Sequence, residues 1–333
     1  MSRPRILVLG GRDAARQPAI SRSNETSFKL GWHLSQLSEA ATRHDAEILF
    51  ADYESLRGHI AASNDQANHL STGQAGHATA WCYRGDGETA GEVSLSQFDA
   101  ILTRTMPAGS LEQVTFRLAV LHDLVSAKTG PRVINSPRGL ELAIDKFATL
   151  TLARRLELPT PRTQVVQSRT AAMEAFEQLG GDVVVKPIFG GEGRGVMRLR
   201  DTELAWTVFS TLTQMDAVCY LQEFVGPGGV DLRVLIVGDH AHAVRRTSEN
   251  DFRTNVRGGG QSTRVELLPK WESASRLLCR DMGLTFAAVD WIESATGELQ
   301  LIEVNGIPGW KGAQKVVPVR IADQIIEELV KQS

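Results

Sequence analysis

Residues 289–305 read Val289-Asp-Trp-Ile-Glu-Ser-Ala-Thr-Gly-Glu-Leu-Gln-Leu-Ile-Glu-Val-Asn305. Apolar runs stand on either side of Glu293-Ser294-Ala295-Thr296-Gly297-Glu298, a turn sequence, and this pattern predicts a β-hairpin. Glu303 and Asn305 are two apart on a strand, so their side chains share one face. With Thr296-Gly297 at the centre of the turn, Asp290 and Glu303 are equidistant from it and lie opposite each other. Three oxygen donors then converge among Ala288, Val289, Ile302 and Val304. Hard divalent cations such as Mg²⁺ take carboxylate and amide oxygens together with substrate phosphates. Ordinary polar positions on a half-exposed hairpin are the competing reading, and a bulge would shift the register.

Working outward, Lys186 ends the apolar run Val183-Val184-Val185. An ammonium there without a partner is costly, and a phosphate would satisfy it. Gly190-Gly191-Glu192-Gly193-Arg194-Gly195 follows, whose glycines let backbone approach a polyphosphate and let the loop move as a lid. Glycine clusters also serve as plain hairpin connections. Lys146 after Asp145, Arg233 in Asp231-Leu232-Arg233, and Arg253 with Asn255 in Asp251-Phe252-Arg253-Thr254-Asn255 add candidate phosphate ligands. Each of these, taken alone, also reads as a solvated surface charge.

Several chemistries are excluded. There is no Gly-x-x-x-x-Gly-Lys-Ser/Thr loop, no His-Arg-Asp catalytic loop, no Gly-x-Gly-x-x-Gly fingerprint after Ile6–Leu9, and no His-Glu-x-x-His zinc motif. His240 and His242 share a strand face and read as surface residues. Cys82, Cys219 and Cys279 are too scattered for a disulfide framework or zinc site and fit a reducing compartment. A net charge of −3, with no basic stripe interleaved with aromatics, argues against a nucleic-acid partner. No stretch approaches the ~20 apolar residues that span a bilayer, and no signal peptide opens the chain, so no membrane partner and a cytoplasmic location are expected.

At 333 residues, with 42 % apolar and 23 % charged residues, the chain is long enough for two or three lobes of an ordinary globular protein. Strands are expected at Arg5–Leu9, Ala46–Ala51 and Phe98–Thr103. Helices are expected at Glu25–Ala41 and Leu111–Ala127, and this alternation suggests a parallel sheet covered by helices. Asp52–Glu92 reads as a long surface insertion, and Pro131–Pro137 as an extended connection. Leu140–Leu156 predicts one helix. Strands at Val183–Pro187, from Val196, and at Val234–Val237 follow. A helix at Trp271–Met282, strands at Phe286–Ile292 and Gln300–Val304, and a last helix from Ile321 complete the pattern.

The order of these features resembles the ATP-grasp superfamily, and specifically the RimK-like α-L-glutamate ligases. Asp145-Lys146, Val-Val-Lys186-Pro, the glycine loop, Gln222-Glu223-Phe224, Asp231-Leu-Arg233, Asp251-Phe-Arg253-Thr-Asn255, Gly258-Gly-Gly260, Asp290 and Glu303-Val-Asn305-x-x-Pro308-Gly309 follow one another from about Ser136 to Val330. The resemblance implies a multi-lobed α/β (α+β) ATP-grasp fold. Its parts would be an N-terminal α/β domain (1–135), a central lobe with the glycine-rich lid including Gly191 and Gly193 (136–221), and a C-terminal lobe with the metal site (222–333).

By the same resemblance, Lys146 and Lys186 hold ATP phosphates, Gln222 belongs to the nucleotide site, and Glu223 with the backbone of Phe224 reads the adenine edge. Asp231 sits near the sugar. Arg233 is a phosphate ligand, and Arg253 and Asn255 line the phosphate and acyl-phosphate region. Asp290, Glu303 and Asn305 bind two Mg²⁺, for which Mn²⁺ substitutes. The implied reaction is ATP-dependent amide formation through an acyl phosphate, adding L-glutamate or another amino acid to an acceptor carboxylate on a pterin cofactor or a protein C-terminus. The alternatives are a peptide or carrier-protein ligase of the same superfamily, or a nucleotide-binding regulator without turnover; a homo-oligomer is also implied. Trp310 and Lys311 depart from the ribosomal-protein-modifying members and resemble the tetrahydromethanopterin-associated branch. Ring stacking and structural anchoring both remain open for Trp310.

Overall fold

The apolar run Ile6–Leu9 is fully buried and forms the centre of the first of three sheets. The computed structural model describes residues 3–10, 30–60, 77–191, 193–249, 251–254 and 261–331. β1 (Arg5–Leu9), α1 (Trp32–Arg43), β2 (Glu47–Ala51), β3 (Arg57–His59), β4 (His77–Tyr83), β5 (Thr89–Ser94), β6 (Ala100–Thr103), α2 (Leu111–Ser126) and β7 (Arg132–Ile134) build this part. β2, β1, β6 and β7 lie side by side in parallel.

The expectations for this part need correction. The sheet is mixed, because β4 pairs antiparallel with β2 and carries β3 and β5. The 52–92 segment, expected as a surface insertion, therefore supplies strands. Its Ala78, Ala80 and Cys82 are buried with Leu49 and Leu95. Its small and polar residues hide a strand whose inward side chains are mostly alanines. The connection at 131–137 contains β7, and α1 begins at Trp32; residues 25–29 of the expected helix lie outside the described residues.

α3 (Pro137–Ile144) and α4 (Lys146–Arg155) replace the single helix expected over 140–156. Asp145 breaks it, since its carboxylate accepts from the N–H groups of Phe147 (2.8 Å) and Ala148 (3.0 Å) and caps a new helix start. β8 (Thr163–Val166), α5 (Arg169–Gln178), β9 (Val183–Lys186), β10 (Met197–Leu199), α6 (Thr202–Gln214) and β11 (Cys219–Glu223) form a second, antiparallel sheet in the order β10-β9-β11-β8, with α5 and α6 against it. β11 runs across the division expected at 221/222.

β12 (Val230–Val237), β13 (His240–Thr247), β14 (Gln261–Arg264), α7 (Pro269–Met282), β15 (Phe286–Glu293), β16 (Leu299–Asn305), α8 (Lys311–Gln314) and α9 (Ile321–Val330) complete the chain. The third sheet has the order β14-β13-β12-β15-β16. Both faces are covered, as the continuous apolar runs of β12 and β15 require. Val234, Ile236, Val289 and Trp291 pack with Leu150 of α4 and Leu278 of α7. Leu235, Val237, Phe286 and Ala288 pack with Ile6, Val8 and Phe50 of the first sheet and Ile325 of α9. The N-terminal core is thus completed by the far end of the chain. His242, expected on the surface, is half-buried and bonds Gln324 of α9 (2.7 Å). No helix among the described residues is long and apolar enough to cross a membrane.

Asn135 ties the first sheet to the third. Its amide donates to the carbonyls of Phe286 and Gly306 (both 2.6 Å) and accepts from the N–H groups of Thr285 and Phe286 (both 2.8 Å). It is buried, so truncation would leave several main-chain groups without partners. Asn135→Ala is expected to lower unfolding free energy by at least about 3 kcal/mol in urea denaturation. A loss below about 1 kcal/mol would show that these bonds carry little.

Candidate active site

The hairpin of β15 and β16 places Asp290 opposite Glu303. Two departures from the simplest hairpin cancel to give this result. The Ser294 N–H donates to the Glu298 carbonyl (2.8 Å), so the turn centres on Thr296, half a residue before the expected point. Trp291 consequently faces Leu301, and Ile302 bulges out of the ladder before Glu303 meets Asp290. Asn305 lies two residues further on the same face as Glu303 and accepts from the Ile307 N–H (3.0 Å).

Asp290 is buried, and its two oxygens accept from Arg233 Nε (2.7 Å) and Nη2 (2.6 Å), with Arg246 Nη2 at 3.1 Å. Burial opposes its ionisation, but the Arg233 and Arg246 charges more than offset this and hold its pKa at about 2. Glu303 shifts the other way: burial and then the Asp290 charge raise its pKa, against the pull of Lys146, Lys186 and Arg233. Two neighbouring carboxylates thus sit in a field of cations.

The lysines arrive from separate elements. Lys146, first in α4 and buried, donates to the Gly190 carbonyl (2.7 Å). Burial lowers its pKa, while Glu303 and Asp145 raise it. Lys186, at the end of β9, donates to Gln222 Oε1 (2.7 Å), and Gln222 Nε2 donates to Thr163 (2.9 Å). Burial brings the Lys186 pKa down to about 8, with Glu303 opposing and Lys146 reinforcing the shift. Gln222 therefore orients a lysine.

Other expected residues are placed differently. Glu223 lies on the opposite face of β11 from Gln222, and its carboxylate accepts from Arg162 N (2.8 Å) and Nε (2.6 Å). The Phe224 N–H donates to the Asp182 carbonyl (3.0 Å), and its ring lies 3.3 Å from the Arg198 guanidinium carbon. Asp231, expected beside a sugar, is buried between Arg246 and Thr254, both of which donate to it. Arg233, expected on phosphate, is held by Asp290. Arg253 grips Asp251, with the Gly193 and Val196 carbonyls at 3.5 Å, which places it against the glycine loop. Positive φ at Gly190 (130°), Gly193 (70°) and Gly195 (71°) explains why that loop needs glycine. Gly191 has no atom within 4 Å of a Cβ built there. Asn255, like residues 256–260, lies outside the described residues. Trp310 is fully buried against His33 and Phe286, which makes it a structural anchor and removes ring stacking on a substrate.

Arg246 is the residue that sequence reasoning missed. The turn Gly238-Asp239 makes Asp231 and Arg246 equidistant from its centre, so the symmetry applied to the later hairpin would have paired them. No group of three or more His, Cys, Asp or Glu side chains suited to a metal occurs among the described residues. The donor set is two carboxylates and one amide, and the raised pKa of Glu303 beside Asp290 is relieved by added positive charge. These residues fit a hard cation that takes its remaining ligands from phosphate and water, once Arg233 yields an oxygen of Asp290.

Known proteins resemble this chain over most of its length. The RimK-like ATP-grasp domain matches residues 143–329. A tetrahydromethanopterin:alpha-L-glutamate ligase of Methanosarcina acetivorans is 30 % identical over 72 % of this chain and 82 % of its own length. A protein of Legionella pneumophila named probable alpha-L-glutamate ligase is 29 % identical over 73 % of this chain and 80 % of its own. The ATP-grasp ligase PsnB, solved with a minimal precursor, superposes with a TM-score of 0.69 at 20 % identity, covering 98 % of this chain and 99 % of that one.

The depressed Lys186 pKa gives a signed pH effect. A phosphate beside Lys186 favours its charged form, so binding above pH 8 must take up a proton. Affinity for a non-hydrolysable ATP analogue is expected to fall as pH rises through about 8, with proton uptake visible by calorimetry in buffers of different ionisation enthalpy. In Lys186→Met the uptake disappears. Absence of uptake in the unaltered protein would place Lys186 away from phosphate.

Proposed function

This chain belongs to the RimK-like ATP-grasp family, whose members are ligases, and from that premise we propose that it joins L-glutamate to an acceptor carboxylate through an acyl phosphate. The observation that carries this reading is the gathering of Lys146, Lys186 and Arg233 around the Asp290–Glu303 pair. Cations from three elements with a carboxylate pair are what a triphosphate and its divalent ions require. Glutamate is supported by the names of the curated relatives, two of which are alpha-L-glutamate ligases by name.

In the proposed reaction an acceptor carboxylate oxygen attacks the γ-phosphorus, and the bond to the ADP oxygen breaks. The amine then attacks the acyl carbon, phosphate leaves, and the nitrogen loses a proton. Lys146 and Lys186 exchange their bonds to Gly190 and Gln222 for phosphate oxygens. Arg233 and Arg253 neutralise charge on the transferring group, and the family resemblance assigns Asn255, which lies outside the described residues, to the same region. Asp290, Glu303 and Asn305 would hold two Mg²⁺, or Mn²⁺ in their place. When bound, the ions supply charge neutralisation and hold the phosphates in line. The nucleotide lies between the second and third sheets, with the glycine loop excluding water from the acyl phosphate. A pterin-linked acceptor is supported by the names of relatives, three of them tetrahydromethanopterin:alpha-L-glutamate ligases, and not by Trp310, which is committed to the core.

Glu303→Ala and Lys186→Ala are each expected to lower turnover at least ~10²-fold with the fold retained, as for loss of a preorganised electrostatic stabiliser. ADP release with Mg²⁺ should require both L-glutamate and one member of a panel of pterin cofactors, protein C-termini and deazaflavin derivatives. Near-normal turnover in both variants, or ADP release indifferent to any amine, would refute the reaction.

A further inference from the structure

One face of the second sheet carries Lys186, Tyr220, Gln222 and Thr163 side by side. Tyr220 and Gln222 are two apart on β11, Tyr220 stands opposite Lys186 of β9, and Gln222 opposite Thr163 of β8. Lys186 Nζ lies 5.9 Å from the centre of the Tyr220 ring. Tyr220 is fully buried and shares a core with Leu150 and Ala153 of α4.

The polar groups of this row are joined, with one exception. Lys186 donates to Gln222 Oε1, Gln222 Nε2 to Thr163 Oγ1, and the Thr163 hydroxyl to the Pro161 carbonyl (3.0 Å). The Tyr220 hydroxyl has no hydrogen-bond partner among the described residues. Burial raises its pKa, the neighbouring Thr163 hydroxyl opposes this, and the Glu303 and Asp145 charges reinforce it. The phenol therefore stays protonated and is a donor. It lies beside Thr163 without closing a bond, and Gln222 Nε2 is 2.9 Å from that same Thr163 oxygen. Residues two apart on a strand stand about 7 Å apart at the backbone, and this shared neighbour brings their tips closer.

Phenylalanine would fill the same space without burying an unpaired hydroxyl, which is costly. Gln222 explains why a donor belongs here. It is only 3 % exposed, and among the described residues its Oε1 accepts from Lys186 alone. A lysine that turns to phosphate leaves that oxygen buried and bare. We propose that Tyr220 donates to Gln222 Oε1 in place of Lys186 when the lysine bonds phosphate. The inference rests on the reading of Lys186 as a nucleotide ligand. One donor replaces another, so the lysine leaves without stranding the amide, and the phenol gains the partner it lacks in the free protein. Tyr220 is a positioning residue, which acts on the nucleotide only through Gln222 and Lys186.

Tyr220→Phe removes the hydroxyl and keeps the ring. Its affinity for a non-hydrolysable ATP analogue with Mg²⁺ is expected to fall about 3- to 10-fold by calorimetry. KM for ATP should rise equally with kcat little changed, since the bond is present in ground and transition states alike. Without nucleotide its Tm should equal or exceed that of the unaltered protein, because no bond of the free state is lost. In a Gln222→Met background, which removes the acceptor, Tyr220→Phe should add no further loss of affinity. A lowered Tm with unchanged affinity would make Tyr220 a packing residue and overturn the proposal, as would an equal loss in both backgrounds. The calorimetry needs neither amine nor acceptor, so it stands apart from the ligase reaction. An unaltered protein that binds no analogue refutes the nucleotide reading and this inference together. Analogue binding that Tyr220→Phe leaves unchanged refutes this inference alone.

Discussion

Two carboxylates held side by side, one buried and one partly buried, repel one another and resist ionisation together. In this protein Asp290 and Glu303 are such a pair, and much of the surrounding architecture answers their charge. Arg233 comes from β12, Arg246 from β13, Lys186 from β9 and Lys146 from the start of α4. No single element could supply all four, because neighbouring cations on one strand face would themselves repel. Drawing them from two sheets and a helix lets each approach from a different side. The break at Asp145 belongs to the same solution, since the cap that starts α4 puts Lys146 in its first turn.

The cations are held by bonds of different strength. Arg246 is buried between Asp231 and Asp290, and its protonated form is strongly favoured by both. Removing either partner would leave an uncompensated buried charge, so this group is structural. Lys146 and Lys186 bond neutral oxygens, a backbone carbonyl and an amide, which a phosphate readily replaces. Because the Lys146 partner is Gly190, this lysine and the glycine loop are mechanically linked. Arg253 reaches the same loop from the third sheet.

The first and third sheets do not behave as independent bodies. They share one apolar core with α9, and Asn135 bonds main-chain groups at the start of β15 and just after β16. Trp310 extends this junction, filling the space between Phe286 and His33. A strand braced in this way can present donors at defined positions. Rigid support beneath a cluster of cations suits phosphoryl transfer, in which positioning and charge do most of the work.

Much of the chemistry was legible in linear order. Period-two spacing placed Glu303 and Asn305 on one face, because strand geometry is local and repeats every two residues, whereas Asp290 meets Glu303 through a shifted turn and a bulge at Ile302 that cancel. Turn symmetry contained the Asp231–Arg246 pair. The edge strands at 52–92 were hidden because alanines and glycines can pack inward without a strong apolar signal. The break at Asp145 was hidden because capping competes with a pattern that otherwise continues a helix. Hairpin pairing, apolar periodicity and the presence of the cations were therefore determined by sequence alone. Which cation faces which carboxylate, the burial of Trp310, and the Asn135 brace were decided only by tertiary structure, because they join residues up to 277 positions apart whose meeting no local rule encodes.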